Sequence, residues 1–317
     1  MGGRQSTMKP PVLIVAGPTA GGKSALALAL AAEFGGTIVN ADSMQLYREL
    51  NILTARPSEA ALAQAPHRLY GVLPAGDPAS AGRWRAMALE AIAEAQAAKR
   101  LPIVVGGTGL YLRALMQGLS PIPPVPRDIR QATRALHAKL GGEKFRAALA
   151  KRDPVSAARL KPGDTQRLIR AYEVVEATGA PLPAWQAKPG EAAAFRFFSI
   201  LVMPPRPALN AAIDARFLGM MSAGALEEAL GLAAPNLDPA LPAMKALGVP
   251  ALLDHLKGLI SLDKAVAQAQ LASRQYAKRQ ATWFRHQFKP NLVIDAQFSE
   301  SLLPGIFNKI RRFLLTR

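Results

Sequence analysis

The 317-residue chain reads as an α/β protein with a mostly parallel sheet and a helical insertion. Three observations carry this. Short β-branched runs alternate with longer runs of helix formers over roughly the first third. A proline-rich stretch, "GLSPIPPVPRD" at 118–128, then breaks the alternation. After an interval with no convincing strand, strands resume with "FRFFSILVMPP". Strands alternating with helices imply parallel pairing with helices on both faces.

The opening "MGGRQSTMKPP" lacks an apolar core, so it is expected to be a leader rather than a secretory signal. "PPVLIVAG" is a buried strand bounded by Pro and Gly, and "KSALALALAAEF" is a helix. "GTIVNADS" is a second strand. "SAGRWRAMALEAIAEAQAAKR" is a helix with a Ser start and a basic end, and "LPIVVGGTGLYLRAL" is strand, glycine turn, helix. Prolines at 118–128 exclude a regular helix or central strand. Helical segments follow to about Thr178, and "APLPAWQAKPGEA" is a second Pro/Gly-rich joint. "NLVIDA" is a late strand. The expected division is a core from 1–119 and 195–317, with a basic helical insertion at 120–194.

Half of the residues are hydrophobic, enough for a sizeable core. The absence of cysteine excludes disulfides, cysteine–zinc sites and thiol catalysis. No apolar run approaches the roughly 18 residues that span a bilayer, so a cytoplasmic protein without a membrane partner is expected. The formal net charge is +17, which points to a polyanionic partner such as nucleic acid or an acidic membrane surface, with a generic surface excess as the equal alternative on charge alone.

Gly17-Pro18-Thr19-Ala20-Gly21-Gly22-Lys23-Ser24 fits G-x-x-x-x-G-K-[ST] at each fixed position. It lies between a strand and a helix, the context this phosphate loop requires. Backbone N–H groups and the helix N-terminus would hold an anion, Lys23 would reach its terminal phosphates, and the Ser24 hydroxyl could coordinate Mg²⁺. The core is therefore P-loop NTPase-like. The loop specifies a polyphosphate and leaves open which bond breaks.

Asp42 stands at the carboxyl end of the second strand, facing the crevice where ligands of such sheets bind. It could bind a donor group, accept a proton or help to hold Mg²⁺, or it could cap a helix. Thr108 in "GGTGLY" would point into the same crevice. No apolar strand ending in a Walker-B acid is evident, which argues against a motor-type ATPase.

Two regions concentrate cations. Arg127 to Arg170 holds twelve Lys/Arg against four acids, leaving +8. The second is "RQYAKRQATWFRHQFK", with no acid between Asp263 and Asp295. On a helix Ala277, Ala281, Phe284 and Phe288 would share one face, with Arg274, Lys278 and Arg285 in a separate stripe open to a phosphate backbone. Tyr276 and Trp283 could stack on a base or pack.

In order along the chain, "GPTAGGKS", "ADSMQLYREL", "TARPS", "PHRLYG", "VVGGTGLYLRALMQGLSPIP", "DPVSAARLKPGDTQRLIRAYEVVEATG", "IDARFLGMMSAGALEE", "LPAMKALG" and "RQYAKRQATWFR" resemble the tRNA dimethylallyltransferases. The resemblance implies Mg²⁺-assisted transfer of the dimethylallyl group of dimethylallyl diphosphate to N6 of adenosine-37, releasing pyrophosphate. The substrates would be tRNAs reading codons that start with U and carrying A36-A37-A38. It implies that Asp42 hydrogen-bonds the N6 amine and accepts its proton. Lys23 and Arg216 would grip the diphosphate, with Thr19 to Ser24 along the donor side and Ser24 beside the metal. Asp42, Ser43, Met44, Gln45, Thr108, Arg130, Gln166, Arg167, Leu168, Ile169 and Arg170 match stretches that contact the tRNA anticodon stem-loop. The protein would act as a monomer.

Two departures stand out. Gly248-Val249-Pro250 replaces the usual Gly-Tyr-Arg, and Leu53 replaces a usual Gly. The competing readings are a P-loop small-molecule or nucleotide kinase, an adenylate isopentenyltransferase acting on free AMP, and an RNA-binding protein with a degenerate site. The basic insertion and late basic helix are unexplained by a kinase, and the intact loop with Asp42 argues against a degenerate site.

Overall fold

The computed structural model describes residues 9–234 and 236–316, so most of the expected leader lies outside the described residues. Two compact units divide the chain. One combines the segments before and including Met116 with those from Ala194 onward; the other is Gln117–Ala193. The joints expected from the sequence stood at 119/120 and 194/195.

The first unit is built on a six-stranded, wholly parallel sheet. Its strands are β1 (Pro11–Ala16), β2 (Gly36–Asn40), β3 (His67–Arg68), β4 (Leu101–Gly106), β5 (Arg196–Val202) and β6 (Leu292–Ile294). Their order is β3-β2-β4-β1-β5-β6. Only the two-residue β3 has no counterpart in the sequence reading, because a pair of residues carries no periodic signal. Ala16 pairs with Gly106 of β4 on one side and Leu201 of β5 on the other. β1 therefore ends centrally, with the carboxyl ends of its neighbours around it, which is where open α/β sheets bind ligands.

Helices pack on the sheet through apolar faces. Leu26 and Leu30 of helix Lys23–Phe34 join Leu13, Val15, Ile103, Ile200 and Val202 in one core, closed by Ile306 and Ile310 of helix Leu303–Leu315. Helix Ala81–Ala97 starts as its Ser predicts, the Ser80 side chain accepting from Arg83 N. Its Trp84 is fully buried, donates from Nε1 to Asn40 O at 2.8 Å and stacks on Tyr111. Both indole requirements, an apolar bed and a partner for N–H, are met together.

Helix Leu262–Gln287 buries Ala277, Ala281 and Phe284, with Phe288 just beyond its end, so the expected apolar face is the packed one. Lys278 and Arg285 stand exposed. Arg274 differs from the expected free stripe: it pairs with Asp214 of helix Arg206–Ser222. Trp283 packs over Gly109, where a Cβ would lie 2.2 Å from its ring.

The second unit consists of helices Arg127–Ala150 (broken by a kink at Gly141), Pro154–Arg159, Thr165–Thr178 and Leu182–Gln186. The last corrects the sequence reading of that stretch as joint alone. Trp185 Nε1 donates to Thr178 Oγ1 at 3.1 Å and fastens this short helix down. Phe145, Leu149, Leu168, Ala171 and Tyr172 form the unit's own core. Leu168 is fully buried there, so its side chain is not the RNA contact expected of it; Ile169 is half-buried and packs against the same core. An apolar residue on the inner face of an amphipathic helix is held by desolvation. Gln166 and Arg167, on the same helix, are exposed, as is Arg130; Arg170 is half-buried beside Glu173 at 3.7 Å.

Candidate active site

The β1 strand delivers the chain into the phosphate loop. A Cβ on Gly17 would sit 2.2 Å from Val202 O, so only glycine lets the loop pass β5. Gly22, at φ +89, turns the loop into helix Lys23–Phe34. That helix has no acid in its first turn, leaving its N-terminal dipole free for an anion.

A cavity of about 430 Å³ opens above this loop. Thr19 to Ser24, Asp42, Gln45, Tyr70 and Arg216 line it, so residues from sequence positions far apart meet in one place. Gly17 and Pro18 lie behind the lining; Ser43, Met44 and Thr108 also stand outside it. Ser43 N donates to Thr108 Oγ1 at 3.0 Å, fixing the turn after β4 to the segment that carries Asp42.

Lys23 Nζ donates to Pro18 O at 2.7 Å. Burial lowers its pKa to about 8; Asp42 opposes the shift and Arg216 adds to it. Arg216 Nη2 donates to Thr19 Oγ1 at 2.5 Å, and burial lowers its pKa while Asp42 raises it. Two poorly solvated cations thus face one cavity, an arrangement that an anionic ligand relieves.

No helix begins directly after β2, the next one being Glu59–Gln64 with Ser58 as its cap, so Asp42 is not a helix cap. It closes an Asx turn instead: Oδ1 accepts from Met44 N at 2.9 Å. Asn40 holds its backbone from both sides, Oδ1 accepting from Asp42 N at 2.7 Å and Nδ2 donating to Asp42 O at 2.9 Å. Turn and chemistry are compatible, since the turn uses one of two carboxylate oxygens. The carboxylate raises the pKa of Tyr111, which is buried, and of Tyr70 and Tyr276, which are half-buried, beyond what desolvation does.

Across the cavity, Gln45 Nε2 donates to Thr54 O at 2.9 Å and Ala55 O at 3.0 Å. The loop just before is held by Glu228, whose carboxylate accepts from the backbone N–H of Asn51, Ile52 and Leu53 at 2.7, 2.7 and 2.8 Å. Leu53 is buried; its Cδ2 is 3.0 Å from a Cβ placed on Gly248. The two departures from the family pattern therefore lie together. Val249 is fully buried at the start of helix Val249–Leu256, so its side chain offers RNA nothing.

The oxygen donors here suit Mg²⁺ bound mainly through phosphate and water: a Ser24 hydroxyl, one carboxylate, and no cluster of three His, Cys, Asp or Glu among the described residues.

Sequence reasoning missed Tyr70, Gln297 and Gln280. Gln297 Nε2 reaches Ala20 O at 3.4 Å from a loop after β6, and nothing local marks it. Gln280 did leave a signal, a long polar side chain on a buried helix face made otherwise of alanines, Phe284 and one small polar residue, Ser273.

The IPP transferase family model matches residues 45–287, and the isopentenyl transferase model matches 10–73. A tRNA dimethylallyltransferase of Rhodospirillum centenum is 60% identical over 280 residues, covering 87% of this chain and 89% of the relative. One from Paramagnetospirillum magneticum is 52% identical over 307 residues, covering 96% and 98%. Among solved structures, the tRNA isopentenylpyrophosphate transferase of Bacillus halodurans superposes with a TM-score of 0.69 at 29% identity, covering 96% of each chain. With a family model spanning most of its length and close relatives covered nearly end to end, the chain belongs to the IPP transferase family, that of the tRNA dimethylallyltransferases.

Proposed function

We propose that this protein transfers the dimethylallyl group of dimethylallyl diphosphate to N6 of adenosine-37 in tRNA. The observation that carries it is the facing of Asp42 and a phosphate loop with two half-buried, poorly solvated cations across one cavity. The C1–O bond of the donor breaks and its electron pair leaves with pyrophosphate. N6 bonds to C1, and its proton passes to the free oxygen of Asp42. An adenine amine is a weak nucleophile, so orientation and proton removal both matter. Lys23, Arg216 and the loop amides hold the charge that grows on the leaving group. When bound, Mg²⁺ supplies further charge neutralisation there, and Ser24 is the residue that would hold it. The base leaves the anticodon-loop stack to reach this cavity.

The RNA-facing groups of the first unit are Lys278 and Arg285, exposed on one side of their helix about two turns apart. Those of the second are Arg130, Gln166, Arg167 and Arg170. The anticodon stem-loop is the acceptor, the preferred loops carry A36-A37-A38 in tRNAs for codons beginning with U, and a monomer in the cytoplasm suffices. The test is incubation with labelled dimethylallyl diphosphate and bulk tRNA, without ATP, followed by mapping of the label. Label at position 37 is expected. Label on AMP but not tRNA, or phosphate transfer from ATP at a comparable rate, overturns the reading. Asp42→Asn keeps the acceptor for Met44 N and lowers kcat by about 10²–10⁴-fold.

A further inference from the structure

Gln280 lies on helix Leu262–Gln287 and is 6% exposed. Its Oε1 accepts from Thr19 N at 2.8 Å, and its Nε2 donates to Gly107 O at 2.9 Å. One planar amide thus joins the phosphate loop to the turn after β4. The fit is tight: a Cβ on Gly107 would lie 2.2 Å from Nε2, so glycine is what admits the side chain.

Each end of this fork leads directly to a group that the proposed reaction uses. The Thr19 hydroxyl accepts from Arg216, on the donor side. Gly107 precedes Thr108, whose hydroxyl accepts from Ser43 N next to Asp42, on the proton-accepting side. By taking the Thr19 N–H, Gln280 also turns that amide away from the cavity and leaves the later loop amides to the anion. A backbone misplacement of about 1 Å between donor and acceptor costs on the order of 10²-fold in rate. Holding their spacing is therefore a catalytic matter even for a group that touches neither substrate.

Resting on the transfer reaction above, we propose that Gln280 is a positioning residue that keeps the diphosphate cradle in register with the Asp42 side of the site. It acts on the rate of transfer and leaves tRNA binding alone, because both its polar atoms are spent inside the protein. Two substitutions separate this from mere structural glue. Gln280→Met keeps the length and removes the bonds to Thr19 N and Gly107 O, together with the side-chain hydrogen bond to Tyr276. Gln280→Glu keeps the acceptor for Thr19 N but, when ionised, sets an oxygen against Gly107 O; when protonated it regains a donor. Facing the Gly107 carbonyl from a buried position, beside Tyr276, whose own pKa is raised by burial so that it stays neutral in this window, that carboxyl is expected to titrate above the usual glutamate range.

Transfer to tRNA and tRNA dissociation constants are measured for wild type and both variants from about pH 5.5 to 8, where such a raised carboxyl titrates. Gln280→Met is expected to lower kcat by about 10–100-fold with tRNA affinity within about two-fold. The Gln280→Glu to wild-type ratio of kcat is expected to rise as pH falls, while the Gln280→Met ratio stays flat. If Gln280→Met fails to fold, the pH trend of Gln280→Glu decides alone, being read within one folded protein. A kcat for Gln280→Met within about two-fold of wild type, a loss matched by lost tRNA affinity, or a flat Gln280→Glu ratio overturns the proposal. Wild type inactive on tRNA overturns the transfer reading instead, so the two failures are distinct.

Discussion

Raising the pH through 8 should loosen the grip on the diphosphate donor while the protein stays folded. Lys23 is a point charge for the terminal phosphates only when protonated, and burial has brought its pKa down from 10.5 to about 8. The depressed value means that the free protein gives up this proton far earlier than an exposed lysine does. At pH 9 about one molecule in eleven keeps the charge, against nearly all for an unperturbed lysine. Donor capture then costs about 1.4 kcal/mol per pH unit above 8, a ten-fold fall in kcat/KM for the donor at each step. The sign follows from the cause: an anion bound against Lys23 raises its pKa again, so binding takes up a proton in this window. The kcat at saturating donor holds level over the same range, because the bound complex retains the proton. The assay is kcat/KM for dimethylallyl diphosphate from about pH 7 to 10 with tRNA saturating, beside Lys23→Arg, whose guanidinium stays charged throughout. A wild-type profile without a fall before pH 10 refutes the reasoning. So does a break near 8 that survives in Lys23→Arg, since another group would then own it.

Arg216→Ala removes the hydrogen bond to Thr19 Oγ1 and a half-buried positive charge, and should cost about 2–4 kcal/mol of transition-state stabilisation, read as kcat/KM for the donor. Glu228→Ala leaves three N–H groups at Asn51 to Leu53 without their carboxylate, and thermal or denaturant unfolding should report a loss of about 1–3 kcal/mol. Replacing Lys278 and Arg285 together by alanine should flatten the dependence of log tRNA affinity on log salt by about 1–2 units, one for each phosphate no longer neutralised. An unchanged slope would place the RNA footprint elsewhere.

The glycine-rich loop that lines the cavity was legible because its signals are local. The phosphate loop needs glycines and a lysine at fixed spacing between a strand and a helix, and all of that lies within a few consecutive residues. The apolar stripe of helix Leu262–Gln287 was equally plain from its 3.6-residue period. Where chain-distant partners compete for a side chain, the reading drifted. Arg274 looked like a member of a free cationic stripe and is paired with Asp214. Leu168 sat within a stretch matched to tRNA contacts and belongs to a core. The position of Asp42 was compatible with the cap of a helix, and a turn stands there.

The sequence by itself determined the class of fold, the phosphate cradle and the basic excess. Each follows from residue type and short-range order, which the backbone geometry of strands, helices and glycine turns translates directly. Only the tertiary structure decided what faces the cradle. Arg216 meets Thr19 across 197 positions and Gln280 meets it across 261, and no local pattern encodes either meeting. Long-range packing of helices against one parallel sheet brings those groups together. Burial there, rather than residue identity, is what lowers the pKa of Lys23 to about 8.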